Sequence, residues 1–335
     1  MFESTPEIPC WVQFPKRTFH ENMMVQFTEG MPGLVEDGDR IFLNTEAPDF
    51  TEQLTEFFTR YLAVTEHGDA AALDHFAISS RYAAGFSVFI DRLQEQIVPP
   101  VALKGQITGP LTLGINIVDQ NGRCAYYDNQ LHDMIVKTSA MKAMWQIDQF
   151  GRFGKQTIIL IDEPSLINFG TPMFITVSRD DIIRDVNEVA DVIHTQGGLA
   201  GVHCEANTDW SLLMETDVDI LVFDAYDHMR AITLYPAQLR SFLERGGSLG
   251  WGIVPTLDRE AAATETFDSL MVRFDDGVGK LVHNGFDREL LLRRALITPS
   301  CGAGGVLTEP LAERVLSLLR QISTTLRTRK GFGGT

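Results

Sequence analysis

The sequence predicts an α/β protein, and within that class a single-domain (β/α)8 TIM barrel that covers residues 1–330. Three observations predict it: apolar runs of strand length alternate about eight times with helical stretches, these runs are apolar almost throughout, and polar clusters follow their ends. Near-continuous apolar strands are typical of parallel sheets, and barrel active sites lie at the ends of barrel strands. A doubly wound open sheet is the alternative, but no G-x-G-x-x-G fingerprint follows the first strand.

The predicted strands are short, and each is followed by a turn or by a helical stretch. Seven of them lie at 8–14, 40–44, 101–107, 157–161, 219–223, 248–254 and 296–298. The remaining one begins at residue 199 and ends in His203-Cys204-Glu205. The run at 157–161 is the clearest strand, and it leads directly into Asp162-Glu163-Pro164. The glycine-rich residues 331–335 are predicted to form a mobile tail.

Helical stretches separate the strands, and the one after 157–161 is delimited by its caps. Ser178 is the predicted N-cap with Asp181 three residues later, and Gly197-Gly198 ends the helix. The other predicted helices lie at 51–98, 134–150, 212–215, 236–244, 259–278, 287–294 and from 308 onwards.

Composition and charge exclude several classes of function. The formal net charge of −17 argues against nucleic-acid binding, which needs clusters of lysine and arginine. No run approaches the roughly 18 apolar residues of a membrane span, and the N-terminus lacks the features of a signal peptide, so a cytoplasmic protein is expected. The four cysteines have no CxxC spacing and are too few for a disulfide framework, so reduced thiols are expected.

Metal-ligating residue types follow three of the predicted strands. His203, Cys204 and Glu205 end one strand, Asp224 follows the next, and Cys301 follows the last. Imidazole, thiolate and carboxylate together suit zinc, which keeps one position open when it is catalytic. Alternation along a strand places Glu205 on the same side as His203 and Cys204 on the other side, whereas a turn at that point would make Cys204 the ligand.

Six motifs, taken in order, resemble the C-terminal catalytic domain of cobalamin-independent methionine synthase, a family in the uroporphyrinogen decarboxylase-like superfamily. They are Lys104-Gly-Gln-Ile-Thr-Gly-Pro110, Ile161-Asp-Glu-Pro164, the His203 cluster, the strand ending at Asp224, Gly250-Trp-Gly-Ile-Val-Pro255 and Pro299-Ser-Cys-Gly302. The resemblance covers nearly the whole chain. It implies zinc ligation by His203, Asp224 and Cys301, with Glu205 at a position where the family has cysteine.

The resemblance also implies a substrate and a reaction. Asp162 and Glu163 would hold the amino group of homocysteine; the alternative is a charge pair at a helix N-terminus. Zinc would deprotonate the thiol, whose pKa is otherwise near 8.5, for methyl transfer to sulfur. Residues 250–258 lack the histidine that the family uses as an acid, and the N-terminal domain of the folate-using enzymes is missing. A methyl-corrinoid donor, on a separate protein, is therefore expected.

Two other functions compete with this prediction. A uroporphyrinogen decarboxylase-like enzyme needs clustered basic residues for its propionates, and Lys16-Arg17 offers one such pair. The second is a non-catalytic barrel that serves as a binding or assembly partner. In this interpretation, Glu205 in place of a cysteine leaves the zinc ligands incomplete. Lys104, at a strand centre, would be costly to bury unpaired, so it is predicted to pair with an acid rather than to act as a catalyst.

Overall fold

A computed structural model gives the structure of the protein, and it describes residues 1–174 and 176–329. The tail predicted at 331–335 lies outside the described residues. The strands are β1 (Leu34–Asp37), β2 (Arg40–Leu43), β3 (Ala102–Thr108), β4 (Gln156–Asp162), β5 (Leu199–Cys204), β6 (Ile220–Phe223), β7 (Ser248–Val254) and β8 (Ala295–Pro299).

Helices connect these strands, and four of the longer ones pack on the main sheet. They are α1 (Phe50–His67), α2 (Ala70–Leu73), α3 (Ala84–Gln94), α4 (Pro110–Asn116), α5 (Asn129–Gly151), α6 (Arg179–Thr195), α7 (Trp210–Glu215), α8 (Met229–Ile232), α9 (Pro236–Glu244), α10 (Arg259–Thr264), α11 (Phe267–His283), α12 (Arg288–Arg293), α13 (Ala303–Val306) and α14 (Glu309–Arg329). The predicted cap of α6 is confirmed, since the Ser178 side chain accepts a hydrogen bond from Asp181 N. Within the described ranges, no helix is both long enough and apolar enough to cross a bilayer.

The main sheet has six parallel strands in the order β3-β4-β5-β6-β7-β8, and it is open. The prediction of a closed (β/α)8 barrel is therefore wrong. The predicted second strand at 40–44 forms β2 and pairs antiparallel with β1 in a separate two-stranded sheet. Gly38, with φ of 61°, makes the tight turn between them, so this segment pairs with its sequence neighbour instead of entering the main sheet.

The predicted first strand, residues 8–14, also stays outside the main sheet. It contributes a single parallel bridge, from Cys10 to Lys104. Lys104 N donates a hydrogen bond to Pro9 O at 3.0 Å, but Pro9 has no N–H with which to continue a ladder. The segment therefore lies along β3 without becoming a regular strand.

The two faces of the six-stranded sheet differ in what covers them. We call one the helix-covered face, because its side chains pack with α5, α6, α11 and α14 into the large apolar core; it carries Leu103, Ile107, Ile159, Ile161, Val202, Phe223 and Trp251. The alternate residues form the inner face, where a smaller apolar cluster consists of Ala102, Ile158, Leu160, Ile220 and Val222. Both sets follow from the two-residue period of a strand.

Candidate metal centre

Polar side chains occupy the inner face near the carboxyl ends of its strands. In register, Thr108 of β3 lies beside Asp162 of β4, and Asp162 lies beside His203 of β5. Paired residues on neighbouring strands point to the same side of a sheet, so these three side chains share the inner face. Glu205, two residues after His203, continues on that side, whereas Cys204 belongs to the helix-covered face.

His203, Glu205 and Cys301 form a group suited to a metal ion. One ligand atom from each residue, an imidazole nitrogen, a carboxylate oxygen and a thiol sulfur, lies within 4.8 Å of the other two. His203 Nε2 is 3.7 Å from Glu205 Oε2. The His203 side chain is 12% exposed and that of Glu205 is 25% exposed, so a small molecule can reach the group.

Cys301 reaches this group although β8 lies three positions from β5 in the sheet. Three interstrand spacings span about 14 Å in a flat sheet, so the meeting requires the sheet to curve and the chain after β8 to turn inward. Thr256, two residues after β7, fixes that segment. Its Oγ1 accepts a hydrogen bond from Cys301 N at 3.0 Å and donates one to Cys301 O at 3.1 Å. Thr256 N also donates to Ser300 Oγ at 3.1 Å.

The electrostatics of the group favour a cation. Burial raises the pKa of the Cys301 thiol to about 12, and the negative charge of Glu205 is the next largest cause. Asp162 and Asp224 raise the same pKa further. A thiol with such a pKa is protonated at neutral pH, and a divalent cation reverses this balance because it stabilises the thiolate directly.

Two buried polar atoms beside the group have no hydrogen-bond partner among the described residues. They are His203 Nδ1 and Asp224 Oδ2. Asp224 is only 1% exposed, and its other oxygen accepts hydrogen bonds from Tyr226 N and Asp227 N. Burial raises the pKa of Asp224 to about 6. Because buried polar atoms are rarely left unpaired, both atoms indicate a site that a ligand or ion completes.

Asp162 and Glu163, the predicted substrate-binding pair, lie in different surroundings. Glu163 is fully buried, and its carboxylate accepts hydrogen bonds from Leu111 N at 3.0 Å and from Thr112 N and Oγ1 at 2.8 and 2.6 Å. This carboxylate therefore holds the N-terminus of α4. A Cβ atom at position 109 would lie 2.2 Å from Glu163 Oε1, so only glycine lets the Glu163 carboxylate come this close to the backbone. Asp162, in contrast, lies on the inner face beside His203.

Cys204, the alternative ligand, lies on the opposite side of β5. It is 0% exposed within the apolar core, and its Sγ is 4.0 Å from Ala206 O. Burial raises the pKa of its thiol to about 12. The structure therefore brings Glu205 to His203 and Cys301, and it leaves Cys204 among apolar neighbours.

Sequence reasoning missed the residues that position the group. Thr256 and Ser300 hold Cys301, and Gly109 admits the Glu163 carboxylate. Their position in the sequence could have indicated this role, since Thr256, Ser300 and Gly109 each come two residues after a predicted strand. Small and hydroxyl-bearing residues at strand ends are common, however, and their partners become visible only when the strands lie side by side.

Comparisons with known proteins give little further information. No family model matches the chain, and a search of curated proteins finds no match either. Among solved structures, the apo form of 3-keto-D-glucoside 4-epimerase from E. coli is 12% identical, and the match covers 73% of this chain and 85% of that chain with a TM-score of 0.37. At this TM-score the likeness supports no conclusion about fold or activity.

Proposed function

We propose that the protein is a zinc-dependent methyltransferase that moves a methyl group to the sulfur of a small thiol, with homocysteine as the first candidate and methionine as its product. The observation that carries the proposal is the meeting of imidazole, carboxylate and thiol within 4.8 Å, at the ends of β5 and β8. Nitrogen, oxygen and sulfur are the donor atoms that zinc accepts in proteins.

The residues of the group divide the task of holding zinc. His203, Glu205 and Cys301 would be the three protein ligands, and Asp224 Oδ2, which lacks a partner in the described chain, is the reserve ligand. A zinc ion bound there would lower the pKa of an incoming thiol. Two anionic ligands, Glu205 and Cys301, would keep the sulfur of that thiol electron-rich, which favours its attack on a methyl group.

The inner face would orient the substrate. Asp162 neighbours His203 in register and would accept the substrate ammonium group, while Glu163 holds α4 and thereby fixes the loop after β4. The resemblance to cobalamin-independent methionine synthase supports this assignment, since Asp162 stands in its Asp-Glu-Pro motif.

The proposed methyl donor is a methyl-corrinoid, carried by a separate protein. In the transfer, a sulfur lone pair forms the new C–S bond, the C–Co bond breaks with its electron pair left on cobalt, and the thiol proton passes to solvent. No acid has to protonate the leaving group. This agrees with residues 250–258, which contain no histidine.

The test of this function follows the spectrum of methylcobalamin during incubation with zinc-loaded protein and homocysteine. We expect thiol-dependent loss of the methyl-corrinoid spectrum together with formation of methionine. Cys301→Ala should abolish both signals. Cys204→Ala removes the same side chain from the opposite face of the sheet and should retain them, which makes it the matched control.

A specific result would overturn the proposal. If zinc-loaded protein gave no thiol-dependent loss above the Cys301→Ala background, and methylfolate also failed as donor, the chain would not be a thiol methyltransferase. The metal centre would then need another function.

A further inference from the structure

Lys104 is a cation on the inner face that the proposed chemistry does not yet use. It lies on β3 in register with Ile158, and Gln106 lies in register with Leu160. Ile158 and Leu160 belong to the inner apolar cluster, so Lys104 and Gln106 face the same interior as Asp162 and His203. Lys104 therefore points to the substrate side of the sheet and not to the helices.

The lysine side chain extends toward the carboxyl end of its strand. Its Nζ donates a hydrogen bond at 3.1 Å to Oε1 of Gln106, which is two residues further along β3. Gln106 is 3% exposed, and its Nε2 donates to Trp11 O at 3.4 Å. Gln106 thus holds the ammonium group in the direction of the strand ends where Asp162 and His203 lie.

The ammonium group of Lys104 forms no direct salt bridge with a carboxylate of residues 1–174 and 176–329; its Nζ hydrogen-bonds to Gln106. The predicted pairing with an acid is therefore not seen as a close contact, although burial raises the pKa of Asp162 on the same face and the charge of Lys104 opposes this rise. An ammonium group has three donors, and Gln106 takes one of them. A half-buried cation is costly unless it is paired. An anionic group of a bound ligand would supply a direct partner.

Carboxylates near the proposed substrate site make a cation useful for binding an anionic group. Asp162 lies beside His203 in register, and Glu205 Oε2 is 3.7 Å from His203 Nε2. Lys104 supplies a positive charge on the same face of the sheet.

We infer that Lys104 binds the carboxylate of the thiol substrate and thereby makes the site select amino-acid thiols over aminoalkyl thiols. This inference rests on the proposed function, because it assigns a specificity-determining residue to the same site. Three contacts would define the substrate: its sulfur at His203, Glu205 and Cys301, its ammonium at Asp162, and its carboxylate at Lys104. A thiol that lacks the carboxylate would leave the lysine unpaired.

The test measures thiol binding rather than turnover, so that it is independent of the methyl donor. Cobalt(II) replaces zinc in the purified protein, and the thiolate-to-cobalt absorption band gives Kd for each thiol. The two probes are homocysteine and 3-aminopropanethiol, which is homocysteine without its carboxylate. The wild type should prefer homocysteine by about 10- to 100-fold, the range expected for one charge-assisted contact.

Two substitutions separate binding from a structural role. Lys104→Met should remove the preference, leaving the Kd for 3-aminopropanethiol within about twofold of the wild-type value, whereas Lys104→Arg should keep part of the preference because the charge remains. Cobalt content and the far-UV circular dichroism spectrum report whether each variant is folded. Since Lys104→Arg keeps the charge, it stays informative if the methionine variant fails to fold.

The outcomes distinguish this inference from the proposed function. Equal weakening of both thiols in Lys104→Met, or an unchanged Kd for homocysteine, would overturn the assignment of Lys104 while leaving the methyltransferase proposal intact. Selective binding without methyl transfer would support Lys104 and refute the methyltransferase. Absence of any thiol-dependent band in cobalt-loaded wild type would overturn both.

Discussion

The two faces of the six-stranded sheet are built from the same strands but from opposite kinds of residue. On the helix-covered face, Ile161, Val202 and Phe223 are at most 1% exposed and belong to the large apolar core. On the inner face, the neighbouring residues Asp162 and His203 are polar, and His203 Nδ1 has no hydrogen-bond partner within the described ranges. Apolar core residues and the candidate metal ligands thus alternate along the strands. We therefore expect mutations on one face to lower stability and mutations on the other to affect metal binding.

The largest expected effect is loss of metal from the inner face. Purified wild type should bind about one zinc per chain, whereas His203→Ala and Cys301→Ala should bind almost none. Removing a direct ligand should weaken binding by more than the roughly 100-fold that outer-shell changes reach. Metal analysis after dialysis against metal-free buffer measures the stoichiometry.

Variants at positions 204 and 205 compare the two faces of the sheet at adjacent residues. Cys204→Ala should keep full zinc content, since its thiol lies in the apolar core. Glu205→Cys should also keep zinc, because a cysteine thiolate is itself a zinc ligand. Full zinc content in both His203→Ala and Cys301→Ala would mean that the group is not a metal site.

A smaller effect is expected from the helix-covered face. Trp251 is 0% exposed, and its ring centroid lies 5.4 Å from that of Phe223 and 5.1 Å from that of Phe274. Trp251→Ala should lower the free energy of unfolding by about 3–5 kcal/mol, the range for large-to-small changes of aromatic core residues. Urea denaturation followed by circular dichroism measures this loss.

The metal content of the same variant completes the comparison. Below the unfolding transition, Trp251→Ala should still bind zinc, because its side chain points away from His203 and Cys301. Trp251→Phe, which keeps an aromatic ring, should lose less stability and serves as the graded control. Loss of zinc without loss of stability in Trp251→Ala would contradict the separation of the two faces.

The smallest effect concerns Lys142, a charged exception within the helix layer. Lys142 is 0% exposed on α5, and its Nζ donates hydrogen bonds to Glu29 O at 2.8 Å and Ala77 O at 2.9 Å. Burial lowers its pKa from 10.5 to about 8. Between these pH values the unfolded chain binds more protons than the folded chain, so the contribution of Lys142 to stability rises with pH and is lowest below pH 8.

The measurement compares wild type with Lys142→Met at pH 7 and pH 9. A folded pKa near 8 predicts that wild type gains about 1.4 kcal/mol relative to the variant over this interval. The neutral amine still has two N–H groups, enough for both carbonyls. A difference between the two proteins that does not change with pH would show that the lysine does not titrate in this range.

Local patterns identified much of the sheet and the three side chains that the structure brings together. The apolar runs that became β3 to β8 were recognisable because the strands of a parallel sheet are apolar along most of their length. The two-residue period of a strand predicts that Glu205, rather than Cys204, lies on the same side as His203. In the structure, Glu205 lies with His203 and Cys301. The role of Glu163 was not recognisable, because it depends on the N-terminus of α4, about 50 residues away.

The sequence by itself determined which residues alternate on each strand and which metal-ligating side chains follow the strand ends, since both depend on neighbours along the chain. Tertiary structure decided that the sheet stays open, because β2 pairs with β1 and Pro9 lacks the N–H to extend a ladder along β3. It also decided that Cys301 meets His203, through curvature across four strands and two hydrogen bonds between Thr256 and Cys301, one donated by each residue. Such long-range geometry depends on the summed packing of many side chains, which no local pattern of residues contains.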